Sequence, residues 1–397
     1  MNAPDVVDVV VLGESMVTFL PTRPGRLADV PSFDRAIGGA ESNVACALAA
    51  AGHSVRWVSR VGADGFGDHL VETIGGYGVD VTSVGRDPLR PTGVYFRTAG
   101  DRATDAHEVA YYRAGSAASA MSTATVDPAA VRAGRVLHLS GITAALSDDC
   151  LALLWELTEP RPGRPLVSFD VNHRPGLWPD ADGTQGSRGP RVLLDLARRA
   201  DLVFVGADEA RAAWGLRGAA AVRDALPEPE LVVVKQGKGG AVAFDKNTNA
   251  DAEAEAEADM DTDTDTDMYE DTGAGMGRME DADGTATVGP GPHVVPALHV
   301  DVVAAVGAGD AFAAGFLSAT LRGLPVRTRL RHGHLMAAAA LTVPGDVGTP
   351  PSRDHADRLA ALDDDAWGRL RLGPGWTTQT ARTTQTASRA EEEVRTP

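Results

Sequence analysis

AAVGAGDAFAAGFL, residues Ala304 to Leu317, decides the reading of the chain. It follows an apolar, strand-like run, places Gly307, Ala308 and Gly309 at a turn, and opens a helix of small residues. At such a turn the backbone N–H groups converge with no side chains in the way, and the helix N-terminus adds partial positive charge. That arrangement holds a phosphoryl group and the charge that builds on it during transfer. Asp310 stands at the head of the helix, where a carboxylate can accept a proton from an attacking hydroxyl. A helix cap is the structural alternative for Asp310. The small-residue pattern that follows, late in an α/β chain, favours the chemical reading.

Outward from this turn, strand and helix patterns alternate. Val6 to Leu12 is a continuous apolar run ended by Gly13, as in a strand buried on both faces. Ala40 to Ala51 is small and helix-favouring, with Gly52 closing it. Strand-like runs recur at Val55 to Val61, Val136 to Leu139, Leu166 to Val171, Leu202 to Val205 and Leu231 to Phe244, with another apolar stretch at Val294 to Val303. Helical patterns lie between many of them, at Asp149 to Leu157, Arg191 to Ala200 and Asp208 to Gly215. The rhythm predicts an α/β fold with a doubly wound, mostly parallel sheet. Residues 15–36 and 91–113 break it with short alternating segments, read as antiparallel strands of a small β-sheet lid over the cleft.

One domain, residues 1–365, is expected, with a disordered tail over 366–397 that carries the repeated TTQTA. Asp251 to Asp283 is an acidic dipeptide run with almost nothing to bury, so a disordered insertion is expected over about 246–290. The formal net charge of -18 disfavours nucleic acid and anionic membranes as partners. Cys46 and Cys150 read as small buried hydrophobes. No basic n-region with an apolar h-region opens the chain and no apolar run reaches spanning length, which predicts a cytoplasmic protein.

GAGDAFAAGF, together with IGGAESNVACALAAAG (Ile37 to Gly52) and VSRVGADGFG (Val58 to Gly67), resembles the ribokinase, or PfkB-type, carbohydrate kinases. The resemblance implies a ribokinase-like fold, ATP with Mg2+, a sugar substrate, and a possible homodimer through the lid. It places Gly38, Gly39 and Asn43 against the sugar; a tight turn before a helix is the alternative for the two glycines. VVVKQGKGGAVAF, Val232 to Phe244, resembles the hairpin beside the nucleotide, which puts Lys235, Gly237 and Gly240 near ATP.

PTGVYF (Pro91 to Phe96), YYRAGSAAS (Tyr111 to Ser119) and DVNHRPGLW (Asp170 to Trp178) resemble the 2-keto-3-deoxygluconate kinase branch. That branch implies Arg113 and Arg174 at the sugar, and an arginine fork suits a carboxylate. Tyr95 and Tyr111 would supply hydroxyls or ring faces, and Asn172 a hydrogen bond. A neutral ketose or a nucleoside as substrate, or a weakened sugar-acid sensor, are the rival readings. Two departures bear on them. Ala304 and Ala305 replace the family's Asp-Thr pair, so a monovalent-cation site is not carried over, and Asp301 is three positions too early to replace it. Gly206 replaces the Asn of an Asn-x-x-Glu element, which leaves Glu209 to act on magnesium indirectly, through water.

Overall fold

The first strand, β1 (Val7–Leu12), shows why the sheet is doubly covered. Successive side chains point to opposite faces of a strand. Val9 and Val11 accordingly enter one core cluster, and Val10 and Leu12 the other. Leu202 and Phe204 of β10 (Leu202–Gly206) likewise face one cluster while Val203 and Val205 face the second. The computed structural model describes residues 5–98, 108–178, 188–246 and 291–378.

The main sheet has nine strands in the order β13-β12-β11-β10-β9-β8-β1-β4-β5. They are β1, β4 (Val55–Gly62), β5 (Val84–Asp87), β8 (Gly134–Ser140), β9 (Leu166–Asp170), β10 (Leu202–Gly206), β11 (Leu231–Lys235), β12 (Ala241–Asp245) and β13 (His293–Val295). All neighbours pair in parallel except β11–β12 and β12–β13. Winding runs from β1 to β4 and β5 on one side and through β8 to β11 on the other, so its direction reverses at β1. Ligands of open α/β sheets bind at the carboxyl ends of the strands, at such a switch point. At those ends stand Gly13, Ser140, Asp170, Gly206 and Lys235.

A separate four-stranded sheet, in the order β3-β2-β6-β7, forms from β2 (Met16–Pro21), β3 (Phe33–Gly38), β6 (Val94–Arg97) and β7 (Val109–Tyr112). It is not antiparallel throughout, as its sequence suggested. β2 pairs with β3, and β6 with β7, antiparallel, but the two hairpins meet through a parallel β2–β6 pair. Which strands of two hairpins meet is a tertiary choice that alternation does not encode.

The apolar stretch Val294 to Val303 is not one strand. β13 ends at Val295 before Pro296, which has no N–H to donate to a ladder. A second short strand, β14 (His299–Val300), pairs with β15 (Arg371–Leu372). Residues 301–307 are irregular, with the Val303 and Ala304 amides donating to the Leu341 carbonyl at 2.8 and 3.3 Å. Order also continues past the expected boundary at 365. Trp367 and Trp376 are buried, and Trp367 donates to the Pro296 carbonyl at 3.1 Å. The acidic run lies in the connection between β12 and β13 and, like residues 379–397, falls outside the described residues. Both cysteines are free and buried, and no described helix is long and apolar enough to cross a membrane.

Candidate active site

The turn at Gly307 carries the helix Ala308–Leu321. Gly307 has φ 77°, in the left-handed region that favours glycine, and a Cβ there would lie 2.1 Å from the Asp346 carbonyl oxygen. Small residues let this helix approach its neighbours: a Cβ on Gly315 would meet the His332 carbonyl at 2.3 Å. The same helix packs on Ala40–Ala50, and the contact brings Asn43 to Asp310. Asn43 Nδ2 donates to Asp310 Oδ2 at 2.8 Å.

Loss of hydration in these packed surroundings pushes the pKa of Asp310 up to about 7; the Asn43 bond opposes the rise, Asp170 adds to it, Lys235 opposes it and Asp346 adds to it. Solvent still reaches part of the residue and tempers the shift, so the upward direction is what the chemistry uses. A carboxylate with its proton affinity raised toward neutrality suits proton abstraction.

Beside Asp310 lies a buried ion pair. Lys235 Nζ, at the end of β11, donates to Asp170 Oδ2, at the end of β9, at 2.7 Å. Burial pulls the lysine's pKa down, but Asp170, Glu209 and Asp310 outweigh it and the net shift is upward. Nζ is also 3.5 Å from the position a Cβ on Gly309 would take, so the ammonium sits against the turn. Asp170 Oδ1 and Asn43 Oδ1 are both buried without a protein partner. Orphaned polar atoms in a cleft are the usual sign of groups that meet a ligand.

The lid closes the other side. Tyr95 Oη donates to Asp346 Oδ2 at 3.3 Å and Arg97 Nη2 to Asp346 Oδ1 at 2.9 Å. A Cβ on Gly38 would lie 2.1 Å from Tyr95 Oη, and one on Gly39 would lie 2.4 Å from the Glu14 carbonyl; close approach accounts for both glycines. Tyr111 pairs with Tyr95 in register, their rings 5.4 Å apart, and the Arg113 guanidinium lies 6.0 Å from the Tyr111 ring. Arg113 is not a free cation. It pairs with the buried Glu14, which also accepts from Ser116 Oγ at 2.5 Å. Arg113 Nε is buried and unpartnered.

Arg174 is half exposed and also engaged, its Nη1 3.3 Å from Glu209 Oε1. Glu209 Oε2 accepts from the Gly206 amide at 3.0 Å and so caps its own helix. Both Glu209 oxygens therefore have protein partners. Asn172, just past β9, is buried and holds a positive φ of 43°. Gly237 and Gly240 have φ 56° and 102°, and a Cβ on Gly240 would strike the Val295 carbonyl at 2.2 Å, so both shape the hairpin.

Among the described residues no group of three or more His, Cys, Asp or Glu is arranged to hold a metal ion. Mg2+ suits such a site when it arrives on nucleotide phosphates, since it keeps its waters and needs one or two carboxylates. Asp170, with its orphaned oxygen, fits that need. Sequence reasoning named neither Glu14 nor Asp346, and used Asp170 only as the first letter of a motif. Glu14 directly follows Gly13, the residue just past β1, which is a usable signal; Asp346 sits in PGDVG, a turn with none.

The geometry agrees with comparisons to known proteins. A profile described as pfkB family carbohydrate kinase matches residues 7–262 and 280–353. A 2-dehydro-3-deoxygluconokinase of Bacillus subtilis is 31% identical, over 88% of this chain and 94% of its own length. A probable chloroplastic fructokinase-6 of Arabidopsis thaliana is 27% identical, over 89% of this chain and 83% of its own. The crystal structure of a PfkB protein from Polaromonas sp. JS666 superposes with a TM-score of 0.68 at 30% identity, covering 88% of this chain and 99% of that one. With a glycine turn, a half-buried aspartate beside it and a ribokinase-like sheet with a lid, this chain belongs to the pfkB family of carbohydrate kinases, enzymes that phosphorylate sugars from ATP.

Proposed function

We propose that the chain phosphorylates a hydroxyl of a keto sugar acid of the 2-keto-3-deoxygluconate type, with Asp310 as general base. The observation that carries this reading is Asp310 itself: raised in proton affinity, held by Asn43 at 2.8 Å, and next to the Gly307–Ala308–Gly309 turn. Asp310 takes the hydroxyl proton, the freed oxygen bonds to the γ-phosphorus, and the bond to the ADP oxygen breaks. Backbone N–H groups of the turn hold the charge on the transferring group. Mg2+ arriving with ATP would screen the phosphates, with Asp170 offering its unpartnered oxygen and Glu209 reaching the ion only through water. Lys235, Gly237 and Gly240 line the nucleotide side; Gly38, Gly39, Asn43, Tyr95, Tyr111 and Asn172 line the sugar side.

Arg113 and Arg174 would read the substrate carboxylate, Arg113 through its unpartnered Nε. Their ion pairs with Glu14 and Glu209 favour a second reading, a neutral ketose, because an internal carboxylate already meets each cation. An ADP-release assay across keto sugar acids and neutral ketoses decides between them. A preference for the acids is expected, and equal or better turnover of ketoses would replace the first reading with the second. Val109 and Tyr112 are exposed on β7, the lid's edge strand, which fits pairing of two lids in a homodimer. Sedimentation as a monomer would remove that part.

A further inference from the structure

Among the described residues, Asp346 is a carboxylate that touches the lid, the turn and the Asn43 side chain that holds the base. Its Oδ1 meets Arg97 at 2.9 Å and its Oδ2 meets Tyr95 at 3.3 Å, both on lid strand β6. Its own carbonyl oxygen lies 2.1 Å from the position a Cβ on Gly307 would take, so its backbone is pressed on the anion-holding turn. The Gly38 backbone approaches the same carboxylate, with a would-be Cβ 2.9 Å from Oδ2. The side chain is 4% exposed, and that of Arg97 is 10%. A buried pair of this kind is expensive to break in half, because the remaining charge is left without a partner.

We infer that Asp346 is a positioning residue that couples lid closure to the base: the Arg97–Asp346–Tyr95 latch fixes the lid over the Gly307 turn and keeps a negative charge beside Asp310. This rests on Asp310 being the base. The charged and titratable groups acting on Asp310 are Asp170 on β9, Lys235 on β11 and Asp346 on the turn, with the Asn43 amide from the helix Ala40–Ala50. Those acting on Asp346 are Arg97 and Tyr95 from β6 and the same Asn43 amide. Burial pushes the Asp346 carboxyl up, and these three pull it only part of the way back, so its net shift is upward. As an anion, Asp346 makes Asp310 hold its proton more tightly. If the latch opens with the lid, that influence weakens, so the base is tuned when the cleft is closed.

The test compares Asp346→Asn, Arg97→Met and Arg97→Lys with the parent. Asp346→Asn keeps the shape of the latch and removes the charge, so the acid limb of the pH–rate profile for ADP release is expected to move to lower pH. A purely structural residue would not move it. Arg97→Met opens the latch, and kcat is expected to fall about 10- to 100-fold while the sugar Kd from calorimetry changes less than about threefold. Arg97→Lys keeps the ion pair, recovers part of the loss, and serves where Arg97→Met does not fold. An unmoved acid limb in Asp346→Asn, or an unchanged kcat in Arg97→Met, overturns the inference. Asp310→Asn is measured alongside: if it is inactive while Asp346→Asn leaves the limb in place, only the latch fails. If Asp310→Asn turns over normally, the base assignment itself has failed.

Discussion

Asn43→Ala removes the 2.8 Å hydrogen bond that holds Asp310. A hydrogen bond to a charged group contributes about 1.5–3 kcal/mol. Asn43 favours the ionised form of Asp310, so its loss raises the proton affinity of the base further above the ordinary carboxylate range. At 1.36 kcal/mol per pH unit, the pH of half-maximal rate should rise by about 1 to 2. The sign follows from the role. The base works deprotonated, so the rate climbs with pH through the limb. Below the limb the variant should therefore lose about 10- to 100-fold, and above it much of the rate should return. The assay is the ADP-release rate from about pH 5.5 to 9 at saturating substrates, with a melting curve to confirm folding. A limb that stays in place, or moves to lower pH, would refute the role given to Asn43.

Arg113→Ala, at a desolvated site, should cost sugar acids on the order of 2–5 kcal/mol in kcat/KM, and Arg174→Ala, at a half-exposed one, about 1 kcal/mol or less. Neutral ketoses should lose much less, and equal losses on acids and ketoses would mean that neither arginine reads a carboxylate. Gly307→Ala forces a residue with a Cβ into φ 77° and against the Asp346 carbonyl, so it should lower Tm by a few degrees and kcat about 100-fold, and a fully active, equally stable variant would contradict the packing. Potassium should change kcat little relative to a bulky inert cation at matched ionic strength. Ala304 and Ala305 offer no side-chain oxygen, and Asp301 lies against Gly373, with Oδ2 3.0 Å from the position of a Cβ there; several-fold activation by potassium would reverse this.

The doubly wound sheet was legible because its strands are buried on both faces and read as unbroken apolar runs, as β1 and β10 do. The turn at Gly307 was legible because only small residues permit it. Partners of charged residues were not. Nothing local tells Arg113 that Glu14, far back in the chain, will face it, nor Arg97 that Asp346 will. Ion pairs across such separations arise from the fold, and spacing carries no trace of them. The same holds for the parallel β2–β6 junction in the lid. Pro296, by contrast, stood in plain view inside the run Val294 to Val303, and its missing N–H was sufficient reason to end a strand there.

The most direct test of the central claim is the rate of ADP release by Asp310→Asn with saturating ATP and keto sugar acid, beside calorimetric binding of the sugar. The amide keeps the shape of the carboxylate and its contact with Asn43 but cannot take the proton. Turnover is expected to fall about 10²- to 10⁴-fold while the sugar still binds. A variant with near-parental kcat would show that the hydroxyl is activated by something other than Asp310.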